Sequence, residues 1–115
     1  MSLEFNISSN EGISIVSFKG KIITDSDLER LNTEIVTANP AEAMNFIFDF
    51  TELTHINSSG INFIIRSLTR SRINNRDLVL TSITGNVKTL FEIAKINEIF
   101  SIYTTVSDAI NHFKN

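Results

Sequence analysis

The sequence predicts an α/β fold: a mixed β-sheet with an N-terminal hairpin and about four helices packed mainly on one face. Three observations carry this expectation. Residues 44–50 and Leu78–Thr81 are nearly continuous apolar runs, as in strands covered on both faces. The stretches between and after them repeat apolar residues at three and four, the spacing of amphipathic helices. The chain opens with two alternating segments split by a turn.

Each element follows in order. In residues 3–8, Leu3, Phe5 and Ile7 face one way while Glu4 and Asn6 face the other, a half-buried strand. The segment Asn-Glu-Gly at 10–12 supplies a turn, with Gly12 free to take positive φ. Residues 13–19 form the second strand of a hairpin that Gly20 ends. The run Thr-Asp-Ser-Asp at 24–27 starts a helix, with capping side chains and early negative charge. Its stripe is Leu28, Leu31 and Ile35, and the pair Asn39 and Pro40 ends it. After the 44–50 strand, residues 58–74 read as a helix. Leu78–Thr81 is a strand, and 84–95 a helix with Val87, Leu90, Phe91 and Ala94 inward. A short strand at 99–103 and a helix at 105–113, using Val106, Ala109, Ile110 and Phe113, close the order. Strand–helix–strand units force parallel pairing with right-handed crossovers.

Composition removes whole classes of function. With 115 residues the chain reads as a single domain, 1–115. It has no Cys, which excludes disulfide scaffolds, cysteine-based zinc sites, Fe–S clusters and thiol nucleophiles. Its net charge of −3 argues against a nucleic-acid binder, which needs a basic surface for phosphates. No apolar run approaches the roughly 18 residues of a membrane span. The N-terminus has no basic start followed by an apolar stretch, so a cytoplasmic location is expected.

In an open α/β sheet, chemistry collects at the carboxyl ends of parallel strands. Two turns there are candidates, residues 50–59 and 82–85. Asp49, His55 and Ser58 are the ingredients of a nucleophilic triad. The strained Gly-x-Ser-x-Gly elbow is missing, however, and His55 would have to reach Ser58 from three residues upstream in one loop. We therefore assign no catalytic residue and read His55 as a partly exposed loop residue. His112 is expected to face solvent, and two distant histidines make no metal site. The four glycines are scattered, with no Gly-rich phosphate loop, so no nucleotide cofactor is implied.

What remains is Asn57, Ser58, Ser59 and Gly60 at a helix start. Asn and Ser are good N-caps, and capping alone would account for them. A phosphate there would carry about −1.5 to −2 charges and sit over free backbone N–H groups. At 100° per residue, Ile61, Ile64, Ile65 and Leu68 share the inner face. Asn62, Phe63, Arg66 and Arg70 fall opposite, with Ser59 above them. Phe63 is thus expected as an exposed apolar contact beside the serines, unless a neighbouring segment covers it.

Residues 49–61, Asp-Phe-Thr-Glu-Leu-Thr-His-Ile-Asn-Ser-Ser-Gly-Ile, resemble the signature of STAS domains, especially bacterial anti-sigma factor antagonists. That signature is a strand ending in Asp, a short loop, then Asp-Ser-Ser/Thr-Gly-Leu opening a helix. The resemblance covers nearly the whole chain: residues 18–22 resemble the family's Gly-Glu-Leu-Asp segment, 84–91 its third helix start and 106–110 its closing helix. It implies a STAS-like fold and a partner-switching protein, not an enzyme. By position Ser58 is the phosphorylation site, with Ser59 second. The implied partners are a serine-kinase anti-sigma factor of the GHKL type and a PPM-type phosphatase. The implied contact residues are Ile23, Asp25, Asn57, Ser59, Gly60, Asn62, Phe63 and Arg66. Two positions depart from the pattern. Asn57 replaces the Asp before the serines, and Ile23 stands at the acidic position of the earlier segment, with Asp25 two residues on. A scaffold or transport-complex subunit that uses the same helix without phosphorylation is the alternative.

Overall fold

A computed structural model describes residues 3–10, 12–38 and 45–114. The elements are β1 (Leu3–Asn10), β2 (Ile13–Ile22), α1 (Asp25–Ala38), β3 (Asn45–Ile56), α2 (Ser58–Ile73), β4 (Leu78–Thr81), α3 (Gly85–Ile93), β5 (Ile102–Tyr103) and α4 (Val106–Lys114). A 3₁₀ turn at Ile96–Glu98 follows α3. The sheet order is β1-β2-β3-β4-β5. Among the described residues the β1–β2 pair is antiparallel and the other pairs are parallel, as the strand–helix–strand order requires.

Alternation along the strands divides the sheet into two faces. Phe48, Phe50, Leu78 and Leu80 join Leu28, Leu31 and Ile35 of α1, Ile64 and Leu68 of α2, and Val87 and Phe91 of α3 in the larger core. Ile13, Ile47 and Val79 point the other way and meet Ala109 of α4 in a smaller one. Of the described helices, three therefore cover one face and one covers the other. In the larger core, Phe18 stacks on Phe50 at 5.1 Å and meets the edge of Phe48 at 5.3 Å. Phe91 of α3 closes on Phe50 edge-on at 5.9 Å. Such pairs add about 0.5–1.5 kcal/mol each beyond area burial.

The hairpin turn behaves as expected, with Gly12 at φ +83°. Thr24 caps α1 by accepting the Asp27 N–H at 3.1 Å, and Thr105 does the same for Asp108 in α4. The expected stop at Asn39 and Pro40 lies outside the described residues, as does Met44.

Four expectations about extent are corrected. First, β3 does not stop at Phe50 but pairs with β2 as far as Ile56. Opposite Ser17–Lys19, β3 advances three residues, and opposite Gly20–Lys21 it advances two. Each bulge adds one residue to β3, so inward positions fall at Phe50, Leu53 and Ile56. Second, β2 runs through Gly20, which sits at φ +94° within the strand beside the second bulge. Third, α3 ends at Ile93, and Lys95 turns the chain with φ +58°. Leu90 and Ala94 are exposed instead of inward, and the buried stripe of α3 is Val87 and Phe91 alone. Fourth, β5 is only Ile102–Tyr103, because the N–H groups of Ile99 and Phe100 donate back to the Ile96 carbonyl and so continue the turn.

Candidate functional site

The site stands where β2 and β3 end together. Ile22 pairs with Ile56, and the Asn57 N–H donates to the Ile22 carbonyl at 3.1 Å. The starts of α1 and α2 are thereby held side by side. Asn57 adopts an extended backbone, φ −102° and ψ 179°, and its Oδ1 accepts the Gly60 N–H at 2.9 Å. This is the N-cap arrangement the sequence predicts. It satisfies one of the four N–H groups that a helix start leaves without partners. The amides of Ser58 and Ser59, at the first two helical positions, have no helical carbonyl one turn back.

Gly60 is buried, and its place is steric. A Cβ there would stand 2.7 Å from Ile56 Cγ1 and 2.8 Å from Ile22 Cγ2. Only glycine lets α2 start this close to the two strand ends. Ser58 and Ser59, just before it, are both exposed. The local sequence thus divides the work: Asn57 caps, Gly60 seats the helix, and the serines are presented outward.

The other expected residues separate into two groups. Asp25, Ser59, Asn62 and Arg66 line one hollow of about 290 Å³ between α1 and α2, together with Leu28 and Glu29. Ile23 is 48% exposed, one residue beyond the end of β2. Phe63 departs from expectation: it is only 7% exposed and belongs to the larger core. The helical wheel identified an apolar face against the sheet, but α1 packs alongside α2 and covers a second side. Phe63 shares a second hollow with Leu28 of α1. The buried residues of α2 are accordingly Gly60, Phe63, Ile64, Leu68 and Ser71, while Ile61 and Ile65 are half-buried.

The triad ingredients are engaged elsewhere. Asp49 Oδ1 accepts from the Thr51 N–H at 3.0 Å, the Thr51 hydroxyl at 2.6 Å and the Thr81 hydroxyl at 3.4 Å. His55 is exposed on β3, with Nδ1 3.0 Å from Thr54 Oγ1. It is a strand residue, not the loop residue expected. The second candidate turn is tied to β5, since Ser82 donates its N–H to Tyr103 and its hydroxyl to Thr104.

Two features were not read from the sequence. Arg30 Nη2 donates to the Leu3 carbonyl at 2.6 Å, stands 3.4 Å from Asp27 Oδ1 and lies over the Phe5 ring at 4.9 Å. It fastens α1 to the edge strand. His112 is half-buried, contrary to the solvent-facing expectation. Its Nδ1 is 2.7 Å from the Tyr103 hydroxyl and its Nε2 is 3.3 Å from Asp77 Oδ2. Among the described residues no group of three or more His, Asp or Glu side chains is placed to hold a metal ion.

Comparison with solved structures places the fold among known ones. An anti-sigma factor antagonist from Mycobacterium paratuberculosis superposes with a TM-score of 0.81 at 17% identity, covering 99% of this chain and 96% of that one. The Bacillus cell fate determinant SpoIIAA in its phosphorylated form gives 0.74 at 16% identity, over 96% of this chain and 99% of that one. The murine anion transporter Slc26a9 gives 0.73 at 12% identity, over 91% of this chain but 18% of the transporter. At these identities the likeness is one of fold. The sequence itself matches the STAS domain family model over residues 4–109, nearly the whole chain, so the protein belongs to the STAS domain family.

Proposed function

We propose that the protein is an anti-sigma factor antagonist in a partner-switching system, controlled by phosphorylation of Ser58. The carrying observation is the division of roles at the start of α2. Asn57 and Gly60 build the helix start without the serine hydroxyls, which leaves Ser58 exposed at the first helical position. A phosphate there gains from the helix dipole and the unpartnered amides, so the fold tolerates it. The same −1.5 to −2 charges, about, would oppose acidic groups on a partner and resist desolvation in an interface. Binding is switched with little change of shape.

In this reading the partner is a serine-kinase anti-sigma factor of the GHKL type, which supplies the ATP. A PPM-type phosphatase reverses the modification, in the cytoplasm, and the protein itself catalyses nothing. Ile23, Asp25, Asn57, Ser59, Asn62 and Arg66 form the contact surface, with Gly60 and Phe63 supporting it from beneath. The phosphorylated form of SpoIIAA, a neighbour in fold, supports the choice of a phosphorylation switch.

The test is incubation of the purified protein with each co-encoded GHKL kinase and ATP, with phosphate located by mass spectrometry. Phosphate on Ser58 is the expected result. Ser58→Ala should retain kinase binding and Ser58→Asp should lose it. No phosphate on Ser58 or Ser59 with any such kinase overturns the reading. The likeness to the STAS region of an anion transporter favours a second reading, a transport-complex subunit. In that case co-purification would recover transporter components, and Ser58→Asp would bind them as the wild type does.

A further inference from the structure

We propose that the end of the molecule opposite Ser58 is a self-association surface, where two copies of this chain meet through exposed isoleucines. The proposal goes beyond the antagonist reading and does not depend on it. Its basis is where the exposed apolar side chains fall. Seven large ones are exposed among the described residues, and five of them are Ile73, Leu90, Ile93, Ile99 and Ile102. Topology gathers these five. Strands β2 to β5 run parallel, so α2 and α3 return against them. The last turns of both helices therefore reach the end where β4 and β5 begin. Ile73 and Ile93 are the final residues of α2 and α3, and Leu90 lies one turn behind Ile93 on the same side of the helix. Ile99 stands in the connection that leads to β5, and Ile102 is the first residue of that strand. Arg72 Nη2 donates to the Ile99 carbonyl at 3.3 Å, which ties the end of α2 to this connection.

The area fits a second copy. Ile73 and Ile93 are 75% and 73% exposed, and the other three between 37% and 45%. Together these fractions amount to about 500 Å² of apolar surface, the size at which a contiguous patch marks an interaction site. One side of a standard-size interface buries about 800 Å², of which about 65% is apolar between like subunits. The patch thus supplies the apolar part of one side of a dimer.

The surrounding charges favour the same occupant. Arg76 follows α2, Glu92 precedes Ile93, and Lys95 and Glu98 lie in the connection. All four are exposed, and among the described residues none of them forms an ion pair. Two cations and two anions leave this rim without net charge. Turned about a two-fold axis, the rim offers itself both signs. An anionic membrane surface selects a cluster of cations, and a strongly charged partner selects a field of one sign; the rim presents neither. Ser58 lies at the other end of α2, about 22 Å away along the helix. Association here therefore leaves Ser58 of each copy open to a kinase.

The experiment is sedimentation velocity on the full chain over a wide range of concentration. The wild type should form a dimer, half associated at micromolar concentration or below. Ile73→Glu with Ile93→Glu should weaken association by about thirtyfold or more. Both side chains are exposed, so the fold should be kept, and thermal unfolding confirms it. Ser107→Glu, an exposed position on α4, adds charge away from the patch and should dimerise as the wild type. A wild type that stays monomeric overturns the proposal. So does a dimer that survives the double substitution, which places the joint elsewhere, and equal loss in Ser107→Glu, which makes the effect one of general charge. A monomer that binds phosphatidylcholine–phosphatidylserine vesicles, or a co-encoded protein, through Ile73 and Ile93 has another occupant and overturns it as well. The kinase assay reads Ser58 separately, so either reading can fail while the other stands.

Discussion

Gly60 lies so close to Ile22 that a Cβ would stand 2.8 Å from its Cγ2, and 2.7 Å from Ile56 Cγ1 on the other side. Both neighbours are β-branched and packed at strand ends, so neither moves aside cheaply. Alanine is the better helix former by about 1 kcal/mol. Overpacking typically costs about 1–3 kcal/mol, and here two contacts are violated at once. Gly60→Ala is therefore expected to destabilise the fold by about 1–2 kcal/mol net. Urea unfolding measures this, and a gain in stability would show that the helix start moves freely.

The cap at Asn57 sets a second expectation. Asn57→Ala removes the acceptor for the Gly60 N–H and should cost about 1 kcal/mol. Asn57→Asp keeps the acceptor and adds negative charge at the positive end of α2. Its stability should match the wild type or exceed it by about 0.3–1 kcal/mol at low salt. Ser58→Asp should likewise be no less stable than the wild type. Loss of kinase binding by Ser58→Asp would then report charge at an intact interface. Parallel thermal melts of the three variants separate these cases.

Phe63 gives a third. Because it is core and not surface, Phe63→Ala should cost about 3–5 kcal/mol, far more than an exposed contact would. An exposed Phe would lose partner affinity with stability nearly unchanged. The buried Phe63 should lose stability first, and Phe63→Leu, which keeps most of the volume, should retain both stability and binding. Chemical denaturation alongside the binding assay shows which order holds.

The sequence made the architecture legible because the strongest signals were local. The apolar run around Phe48, the stripe Leu28–Leu31–Ile35 and the cap at Asn57 each sit within a few residues of what they control. The errors share one cause, a neighbour distant in sequence. Residues 51–56 read as a turn because two bulges move the inward positions from every second residue to Phe50, Leu53 and Ile56. Phe63 read as exposed because a wheel gives one apolar face and cannot show that α1 covers another. The hollows between α1 and α2 depend on that same packing, so neither could be placed from α2 alone. The contact of His112 with Asp77 spans 35 residues.

That last contact carries the final expectation. His112 joins α4 to Tyr103 of β5 and to Asp77, which stands 3.8 Å from Arg72 at the end of α2. The ring also meets Tyr103 and Phe113 edge-on, at 5.6 and 4.9 Å. His112→Ala removes both hydrogen bonds and the ring contacts at once. The site is half-buried, so water replaces part of what is lost, and the cost should be about 1 kcal/mol. The effect should be local, since α4 covers only the smaller core while Ser58, α1 and α2 belong to the opposite face. Tyr103 is the only tyrosine and the chain has no tryptophan, so tyrosine fluorescence reports the surroundings of Tyr103, which include His112. Emission should change on His112→Ala, with faster amide exchange in α4 and unchanged exchange in α2. Equal acceleration in α2 would mean that the two faces open together and that His112 supports the whole sheet.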